Sequence, residues 1–470
     1  MVASRPVSDT TGRAVQLGLH DLGNGKWIAD QYADALRYIR TGKRWIYWDE
    51  RRWAPDDTGE AERRAKAIVA ALLERAIAAT EDAERKLLIR HAEESCSARA
   101  IADALKLAAT EAPLAMRAGD FDRGPLLLNV ENGTLDLQTA TLRPHCRSDY
   151  LTKLVPIRFD PNATAPRWER FLREIMHDDP ALISYLQRVV GCALSGLNPD
   201  QAWFFLFGSG ANGKSTLLDV VRALLGDYAR QADTATFVKR RADAIRNDLA
   251  RLAGARLVTA VELEEGQHLA ASLIKQLTGG DAVTSRFLYA EYAEHVPGYK
   301  IVIAGNHRPR VDDTTFAFWR RTRLVPFTVT IPVADQDPHL AAALKRELPG
   351  ILAWAVGGCL EWQRRGLAEP PAIALATEAY QREQDLVGGF LVEGCLEDRD
   401  ATVVTTDLYA AYERYCQESG TEQLGRREFH SRLEEKGFVR GRKVKGSRSW
   451  RGLRLKLDAA EEADDAAPPF

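Results

Sequence analysis

The chain has 470 residues, of which 45% are hydrophobic and 28% are charged. This length predicts two to four domains, and this composition excludes a globally disordered chain. No apolar run approaches the ~20 residues that span a bilayer. The first residues also lack the apolar core of a secretion signal. We therefore expect a cytoplasmic protein without a membrane contact.

The cysteines and the charges narrow the class further. None of the six cysteines forms a Cys-x-x-Cys pair, which argues against a zinc ribbon and against a disulfide scaffold. The net charge of −2 is unevenly distributed, because a basic segment between Arg426 and Lys456 is followed by an acidic tail over 458–470. A basic module near the end of the chain is consistent with nucleic-acid binding.

In chain order, the first region is predicted to be a mostly helical domain over 1–190. The aromatic stretch 44–49 is typical of a strand, and apolar residues at helical spacing over 57–117 predict two or three helices. The segment 126–137 is expected to form a hairpin that turns at Asn132 and Gly133. A domain of alternating strands and helices with a helical extension is predicted over 191–395.

A phosphate-binding loop follows the apolar strand 201–207. Residues Gly208, Ser209, Gly210, Ala211, Asn212, Gly213, Lys214 and Ser215 match the pattern G-x-x-x-x-G-K-S, and Thr216, which follows directly, completes the predicted loop. Backbone N–H groups in such a loop surround the phosphates of ATP, the lysine contacts the β- and γ-phosphates, and the serine hydroxyl is a ligand for Mg²⁺. The strand before the loop and the helix after it make a chance match improbable.

Two later strands end in polar side chains that such a site needs. The strand 256–261 ends at Glu262, which is the predicted acid for Mg²⁺ and for the attacking water, with Glu265 as a second acid. The strand 300–304 is followed by Asn306, whose amide could contact the γ-phosphate, although a turn asparagine is the alternative. Beyond it lie Arg320, Arg321 and Arg323, and an arginine there suits an arginine finger.

A small basic domain is predicted over 403–457. Two helices followed by a glycine-punctuated β-ribbon resemble a winged helix, and its cations could contact DNA phosphates. The candidate DNA-binding residues are Arg440, Arg442, Lys443, Lys445, Arg448 and Trp450, the last by stacking on a base or sugar. The alternative is a solvated charged face that packs on the preceding domain.

Together these motifs resemble superfamily 3 helicases, and in particular the helicase part of phage and plasmid primase-helicases, the group that includes the poxvirus-type NTPase. The resemblance covers most of the chain and depends on five motifs, which are Gly208 to Thr216, Arg256 to Gly266, Ile274 to Asp281, Gly305 to Pro309, and Trp319 to Phe327. Upstream, the segment 132–137 is similar to the family's helical-domain signature. The resemblance implies an AAA+-like P-loop core in a hexameric ring, with ATP and Mg²⁺ at the subunit interfaces.

The resemblance also implies residue roles. Glu262 would be the Walker B acid, Asn306 the first sensor, and Arg321 the finger that reaches a neighbouring subunit's ATP. The segment from Lys275 to Val296 would carry DNA-contacting residues into the channel, with Arg286 and Tyr289 chosen on its hairpin and Lys275 as a third candidate. Lys275 could equally be a solvated helix residue.

The chain departs from the family in two respects. Many members place two acids side by side at the position of Glu262, whereas Val261 and Leu263 flank it here. Many members also carry a primase domain upstream, but residues 1–190 are too short and too helical for one. We therefore expect any primase to be a separate partner.

The sequence thus predicts an α/β protein that acts as an ATP-driven DNA helicase or translocase in phage, prophage or plasmid replication in a bacterial cell. One alternative is an initiator that uses ATP as an assembly switch and marks an origin without processive unwinding. Others are a mobile-element or defence ATPase and a P-loop metabolic kinase. The arginine pair and the basic domain argue against the kinase.

Overall fold

The computed structural model describes residues 18–239, 247–285, 293–444 and 446–456. Up to residue 157 the chain contains four helices and two small sheets, of which the second, residues 127–143, shares a buried cluster with the central unit. The helices of this N-terminal unit are α1 Asp21–Tyr32, α2 Glu60–Ala78, α3 Asp82–Ser95 and α4 Ala98–Ala108. Its strands are β1 Leu36–Ile39, β2 Arg44–Trp48, β3 Trp53–Pro55, β4 Ala115–Met116, β5 Leu127–Val130, β6 Gly133–Asp136 and β7 Thr141–Arg143.

The two small sheets add to the predicted helices of this unit. One sheet has the order β3-β2-β1-β4 and the other β5-β6-β7. The first is stabilised by an aromatic cluster in which Trp53, fully buried, stacks on Tyr150 and packs edge-on against Phe121. The strand at 44–48 and the three helices between 60 and 108 confirm the sequence prediction.

The predicted hairpin is present, but its turn lies one residue earlier than expected. Val130 pairs with Gly133, so Glu131 and Asn132 form the turn and Gly133 is the first residue of β6. Gly133 has a φ of 155°, and a Cβ there would lie 2.3 Å from the carbonyl oxygen of Arg143 on β7. Only glycine allows this close approach of the two strands.

The central unit contains a five-stranded parallel sheet with flanking helices. Its helices are α5 Pro166–Ile175, α6 Pro180–Leu194, α7 Lys214–Leu225, α8 Asn247–Ala250, α9 Ala271–Thr278, α10 Phe316–Trp319, α11 Leu340–Arg346, α12 Leu348–Arg365 and α13 Pro371–Gln384. Its strands are β8 Trp203–Phe207, β9 Ala229–Gln231, β10 Leu257–Val261, β11 Val283–Ser285, β12 Ala293–His295, β13 Lys300–Gly305 and β14 Thr322–Pro326. The sheet order is β14-β8-β13-β10-β9, and β11 and β12 form a separate antiparallel pair.

Both faces of the parallel sheet are covered, which explains why its strands are continuously apolar. Along β8, Phe204 and Leu206 belong to one buried cluster, whereas Trp203 and Phe205 belong to a second cluster on the opposite face. Alternate residues of a strand point to opposite faces, so a strand buried on both sides carries apolar residues throughout.

Helix α6 belongs to this central unit, although the predicted boundary at 190 falls inside it. Its residues Leu182 and Tyr185 share a buried cluster with Phe204 of β8. It also crosses α12 at close range, since a Cβ on Gly191 would lie 2.2 Å from the backbone nitrogen of Cys359. The packing therefore assigns α5 and α6 to the sheet rather than to the N-terminal unit.

The last unit contains three helices and a three-stranded antiparallel sheet of order β15-β17-β16. Its elements are α14 Leu386–Gly394, β15 Cys395–Val404, α15 Thr405–Glu418, α16 Arg426–Glu435, β16 Val439–Arg440 and β17 Ser449–Leu455. Its buried core includes Val387 and Phe390, so this unit begins before the predicted boundary at 403. The acidic tail lies outside the described residues. Within the described residues no helix is long and apolar enough to cross a membrane.

Candidate functional site

The phosphate-loop motif lies between the carboxyl end of β8 and the first turn of α7. A Cβ on Gly208 would lie 2.2 Å from the carbonyl oxygen of Phe327, and one on Gly213 would lie 2.5 Å from a methyl carbon of Ile175. Gly213 also has a φ of 83°. Both glycines are therefore required by the close packing of the loop against β14 and α5.

Lys214 is the first residue of α7 and its side chain is almost completely buried. Its Nζ donates hydrogen bonds to the carbonyl oxygen of Gly208 at 2.6 Å, to Asn212 Oδ1 at 2.9 Å and to Asn306 Oδ1 at 3.1 Å. Burial lowers the pKa of the Lys214 ammonium below its ordinary value. The three oxygens around Nζ supply the acceptors that a buried ammonium needs.

The remaining residues of the loop fit a bound triphosphate. Ser209, Gly210 and Ala211 are exposed, and a Cβ on Gly210 would meet no atom within 4 Å. The backbone N–H groups here are therefore accessible, next to the amino end of a helix that favours anions. Ser215 is exposed on the first turn of α7, so its hydroxyl could reach a metal ion on the phosphates, while Thr216 is half-buried beside it.

The side chain of Asn212 is a feature that the sequence analysis did not single out. It is buried, it accepts from Lys214 through Oδ1, and its Nδ2 donates to the carbonyl oxygen of Ser209 at 2.5 Å. The amide thus joins the two ends of the loop to the lysine. The signal in the sequence was an asparagine directly before Gly213 and Lys214. The phosphate-loop pattern explains binding by backbone N–H groups, so it does not predict a role for a side chain in the loop.

The acid and the asparagine follow adjacent strands of the sheet. Asn306 comes directly after β13, which lies between β8 and β10, and Glu262 comes directly after β10. Strands in a sheet lie about 4.8 Å apart, so Glu262 is displaced about 10 Å sideways from the loop. The order of the sheet therefore places Asn306 between the phosphate loop and the acid, and the exposed carboxylate of Glu262 faces solvent at the same edge.

The backbone of Glu262 has an uncommon conformation. Its φ is 70°, in the left-handed region, and its N–H donates to the carbonyl oxygen of Ala304 at 3.1 Å. Such a conformation costs a non-glycine residue about 1–3 kcal/mol and is found preferentially at functional sites. Glu265, also exposed, lies beside a cavity of about 550 Å³ between this edge of the sheet and the C-terminal unit.

Arg321 lies at the opposite end of the strands, beside the amino end of β8. Its carbonyl oxygen accepts from the N–H of Trp203, at the amino end of β8. A strand rises about 3.3 Å per residue, so Arg321 is roughly 17 Å from Gly208 at the other end of β8. This separation exceeds the length of an arginine side chain, and Arg321 cannot serve the phosphate loop of its own chain.

The three arginines of this segment differ in their surroundings. Arg321 is 9% exposed, donates to Gln201 Oε1 at 3.0 Å, and has a buried Nε without a partner among the described residues. Arg320 is exposed and donates to the same Gln201 oxygen at 2.8 Å. Arg323 is paired with Glu369 at 2.8 Å. Gln201, which the sequence did not single out, therefore contacts two of the three arginines, Arg320 and Arg321.

The predicted DNA-contacting hairpin is described only in part. Strands β11 and β12 pair antiparallel, as a hairpin requires, but Arg286 and Tyr289 lie outside the described residues. Lys275 on α9 forms an ion pair of 2.6 Å with Asp313. Burial raises the pKa of Asp313, but hydrogen bonds from Lys275 and Thr315 overcome this and lower it below its ordinary value. Lys275 is thus engaged in an intramolecular contact.

The C-terminal cations are not equivalent. Arg442, Lys443 and Arg448 are exposed, and none has an acidic partner within the described residues. Arg440 pairs with Glu434 at 3.0 Å and its guanidinium lies 5.1 Å from the ring centroid of Trp450. Lys445 lies outside the described residues.

The prediction that Trp450 stacks on a base or sugar is wrong for this structure. Its side chain is 0% exposed and belongs to the buried core of the C-terminal unit. It follows an exposed basic loop in the sequence, and that position suggested an accessible ring. However, Trp450 lies on β17, which pairs with both β15 and β16, and its ring points into the core.

Comparison with known families matches three segments of the chain. Residues 25–177 match the family described as D5 N terminal like, and residues 382–454 match the Poxvirus D5 protein-like family. Residues 206–321, which include the phosphate loop, match a family of unknown function. The segment 382–454 begins near Val387, the first residue of the buried core of the C-terminal unit.

Curated relatives come from large DNA viruses. The chain is 24% identical over 62% of its length to "Putative helicase L207/L206" of Acanthamoeba polyphaga mimivirus, and 29% identical over 52% to "Putative helicase 022R" of Frog virus 3. It is 25% identical over 62% to "Putative primase C962R" of African swine fever virus. The matched regions cover 33%, 27% and 33% of these proteins, so the chain spans about a third of the length of its relatives.

Among solved structures, the chain is similar to the C-terminal region of NrS-1. The alignment covers 64% of this chain and 78% of that one at 10% sequence identity, with a TM-score of 0.41. At this score the similarity supports no argument about fold or function.

Proposed function

We propose that the chain is a D5-type member of the superfamily 3 primase-helicases and an ATP-driven DNA helicase or translocase in DNA replication; the matches to two D5 families and the viral relatives support this proposal. The relatives support a replication helicase- or primase-like role. The geometry that favours the helicase is the phosphate loop whose lysine contacts Asn306, next to a strand that ends in Glu262. These relatives come from viruses of eukaryotes. They do not test the expectation that the chain comes from a phage or plasmid in a bacterial cell, which stays a prediction.

In the proposed reaction, this chain binds and orients the triphosphate of ATP. The loop N–H groups and the amino end of α7 hold the phosphates, and Lys214 exchanges its present oxygen partners for phosphate oxygens. Ser215 and Glu262 would hold Mg²⁺, which offsets phosphate charge when it is bound. Asn306 is displaced from Lys214 by the same exchange, and its amide is then free to orient the attacking water.

We propose that the site is completed by a second copy of the chain. The hydrolysis step needs a cation that offsets the charge of the γ-phosphoryl group as it is transferred to water. Arg321 is at the wrong edge of the sheet to supply it in cis, which favours supply in trans within a ring. In the isolated chain Arg321 is held by Gln201, and a neighbouring nucleotide would compete for its guanidinium.

The C-terminal unit supports the DNA-binding part of the proposal. Its elements follow in the order α14, β15, α15, α16, β16, β17, with the loop between β16 and β17 carrying exposed cations, as in a winged helix. Exposed Arg442, Lys443 and Arg448 have no ion pair with another described residue that phosphate binding would first have to break. No such surface is needed by a metabolic kinase.

Hydrolysis and strand separation by the full chain test the proposal. The wild-type protein is expected to hydrolyse ATP faster with DNA than without it and to separate a forked duplex. Lys214→Ala should do neither, because its loop lacks the phosphate-binding cation. Hydrolysis by Lys214→Ala at the wild-type rate would contradict the site. DNA-dependent hydrolysis without separation of forked or origin duplexes would instead support an ATP-switched initiator.

A further inference from the structure

Helix α16 occupies the position that usually reads DNA in a helix-turn-helix domain. It is the second helix of the consecutive pair α15 and α16, and in this class of domain the second helix enters the major groove. One side of α16 is fixed by the core of its own unit, since Phe429 and Leu433 are both completely buried. Whether α16 can enter a DNA groove therefore depends on what the rest of its surface contacts.

A second side of α16 faces the central unit. Four residues at helical spacing form this side, which we call the docking side: Glu428, Ser431, Arg432 and Glu435. They line a cavity of about 510 Å³ together with Asp312, Asp313 and Thr315 of the central unit. This docking side carries two acidic residues. A duplex phosphate would be repelled by both carboxylates, so the side is poorly suited to DNA.

Arg432 makes the central contact of the docking side. Its side chain is 13% exposed. Nη1 donates to Thr314 Oγ1 at 2.5 Å and Nη2 donates to the carbonyl oxygen of Asp312. The guanidinium also lies 3.6 Å from Glu428 and 3.3 Å from Glu435 of its own helix. Its donors and its charge are thus used within the protein.

One further ion pair joins the C-terminal unit to segment 310–315. Arg310 pairs with Glu422 of the C-terminal unit at 2.8 Å. Lys436, at the end of α16, pairs instead with Asp385, which caps α14 of its own unit. Exposed ion pairs contribute little stability one at a time, about 0–1 kcal/mol. Together with the contacts of the largely buried Arg432, the Arg310–Glu422 pair nonetheless favours one arrangement of α16 on segment 310–315.

We propose that α16 is a docking helix that holds the C-terminal unit on segment 310–315, and that duplex DNA is bound by the wing, residues 441–444 and 446–448, instead of by α16 in the major groove. The DNA half of this inference rests on the proposed function. The wing carries the exposed Arg442, Lys443 and Arg448, whereas the cation of the docking side is enclosed. Phosphate contacts alone carry no sequence information, so duplex binding is expected to show little sequence preference.

The first test compares the salt dependence of duplex binding by full-length variants. Fluorescence anisotropy with a labelled duplex is measured over a series of KCl concentrations. Each phosphate contact contributes about 0.9 to the slope of log K against log salt. The variant Arg442→Ala/Lys443→Ala/Arg448→Ala should therefore lose about 2–3 from the slope. Arg432→Ala and the matched control Arg427→Ala, exposed on the same helix, should keep the wild-type slope.

The second test measures docking without DNA. The amides of Arg310, Val311 and Thr315 each donate a hydrogen bond within the described chain, so their hydrogen exchange reports the order of segment 310–315. Exchange should become faster in Arg432→Ala and also in Arg432→Lys, because lysine keeps the charge but lacks the planar fork whose two nitrogens reach Thr314 and Asp312 separately. The wing variant should exchange at the wild-type rate.

Opposite results would overturn the inference. A slope that falls in Arg432→Ala or Arg427→Ala as much as in the wing variant would assign DNA contact to α16, and unchanged exchange in both Arg432 variants would remove the docking role. If the wild-type chain shows no salt-dependent duplex binding, the proposed function and the wing assignment both fail. The exchange experiment still decides docking in that case, because it contains no DNA.

Discussion

Glu262 has a left-handed backbone at the position of the proposed catalytic acid. Its φ of 70° is unfavourable for any side chain with a Cβ. We expect Glu262→Gly to be more stable than Glu262→Ala by about 1 kcal/mol, because only glycine adopts this conformation without strain. Both variants lack the carboxylate and should be equally inactive in ATP hydrolysis. Equal denaturant midpoints for the two would show that residue 262 is not strained.

His91 makes the stability of the N-terminal unit depend on pH. It is buried, its Nε2 lies 2.9 Å from Asn24 Oδ1, and Asn24 Nδ2 donates to Ser95 Oγ at 3.1 Å. Burial lowers the pKa of His91, and the opposing effect of Glu94 and Asp21 does not overcome it. The unfolded chain then binds the proton more readily than the folded chain. Stability should be complete above the ordinary histidine pKa of about 6.5 and should fall as the pH drops below it.

Calorimetry between pH 7.5 and 5.5 measures this dependence. The unfolding temperature is expected to fall toward pH 5.5, and to fall less in His91→Gln, which keeps an amide donor without a titratable ring. An identical pH dependence in the two proteins would assign the effect to other groups.

At the scale of elements, the crossing of α6 and α12 depends on individual glycines. A Cβ on Gly191 would lie 2.2 Å and 2.3 Å from backbone atoms of Cys359 and Gly358. Backbone atoms cannot move aside without separating the helices, so Gly191→Ala should destabilise the chain by about 1–3 kcal/mol. Chemical denaturation of the purified variant measures the change.

Gly357, on the same helix as Gly358, is the matched control. The nearest atom to a Cβ there is Gln187 Nε2 at 3.6 Å, which is an ordinary contact. Gly357→Ala should therefore gain helix propensity, up to about 1 kcal/mol. A loss of stability in both variants would show that the two helices lie closer together than described.

An element could be predicted from the sequence when residues close to it along the chain determine its structure, and could not when distant residues do. The apolar run of β8, the glycines of the phosphate loop and the helices between 60 and 108 are each determined by neighbouring residues, and they were predicted. The burial of Trp450 was not, because it depends on strands β15 and β16 pairing on both sides of β17. The position of α6 and the contact between Lys214 and Asn306 likewise arise from residues far apart in sequence.

At the scale of the whole molecule, the sheet separates the two halves of the proposed ATP site. The phosphate loop and Glu262 lie at the carboxyl ends of the strands, whereas Arg321 lies at the amino end of β8. This arrangement was not predictable from motif spacing, because spacing along the chain does not say which edge of a sheet a residue reaches. If Arg321 acts on a nucleotide, that nucleotide therefore has to be bound by a second copy of the chain.

Mixing two inactive variants tests this claim most directly. Arg321→Ala should bind ATP, because its own loop is intact, but hydrolyse it about 10³–10⁵-fold more slowly without the finger. Lys214→Ala should lack the loop cation but supply an intact Arg321. Arg320→Ala removes the neighbouring exposed arginine on the same Gln201 oxygen; it should remain active if Arg321 is the finger, and its inactivity would make Arg320 the finger instead. Native mass spectrometry establishes that mixed oligomers form.

The measurement is ATP hydrolysis across mixing ratios of Arg321→Ala and Lys214→Ala. Each protein alone should be inactive, and the mixture should recover part of the wild-type rate, because some interfaces then combine an intact loop with an intact finger. Mixed oligomers that recover no hydrolysis at any ratio would contradict a site completed by Arg321 of a neighbouring copy.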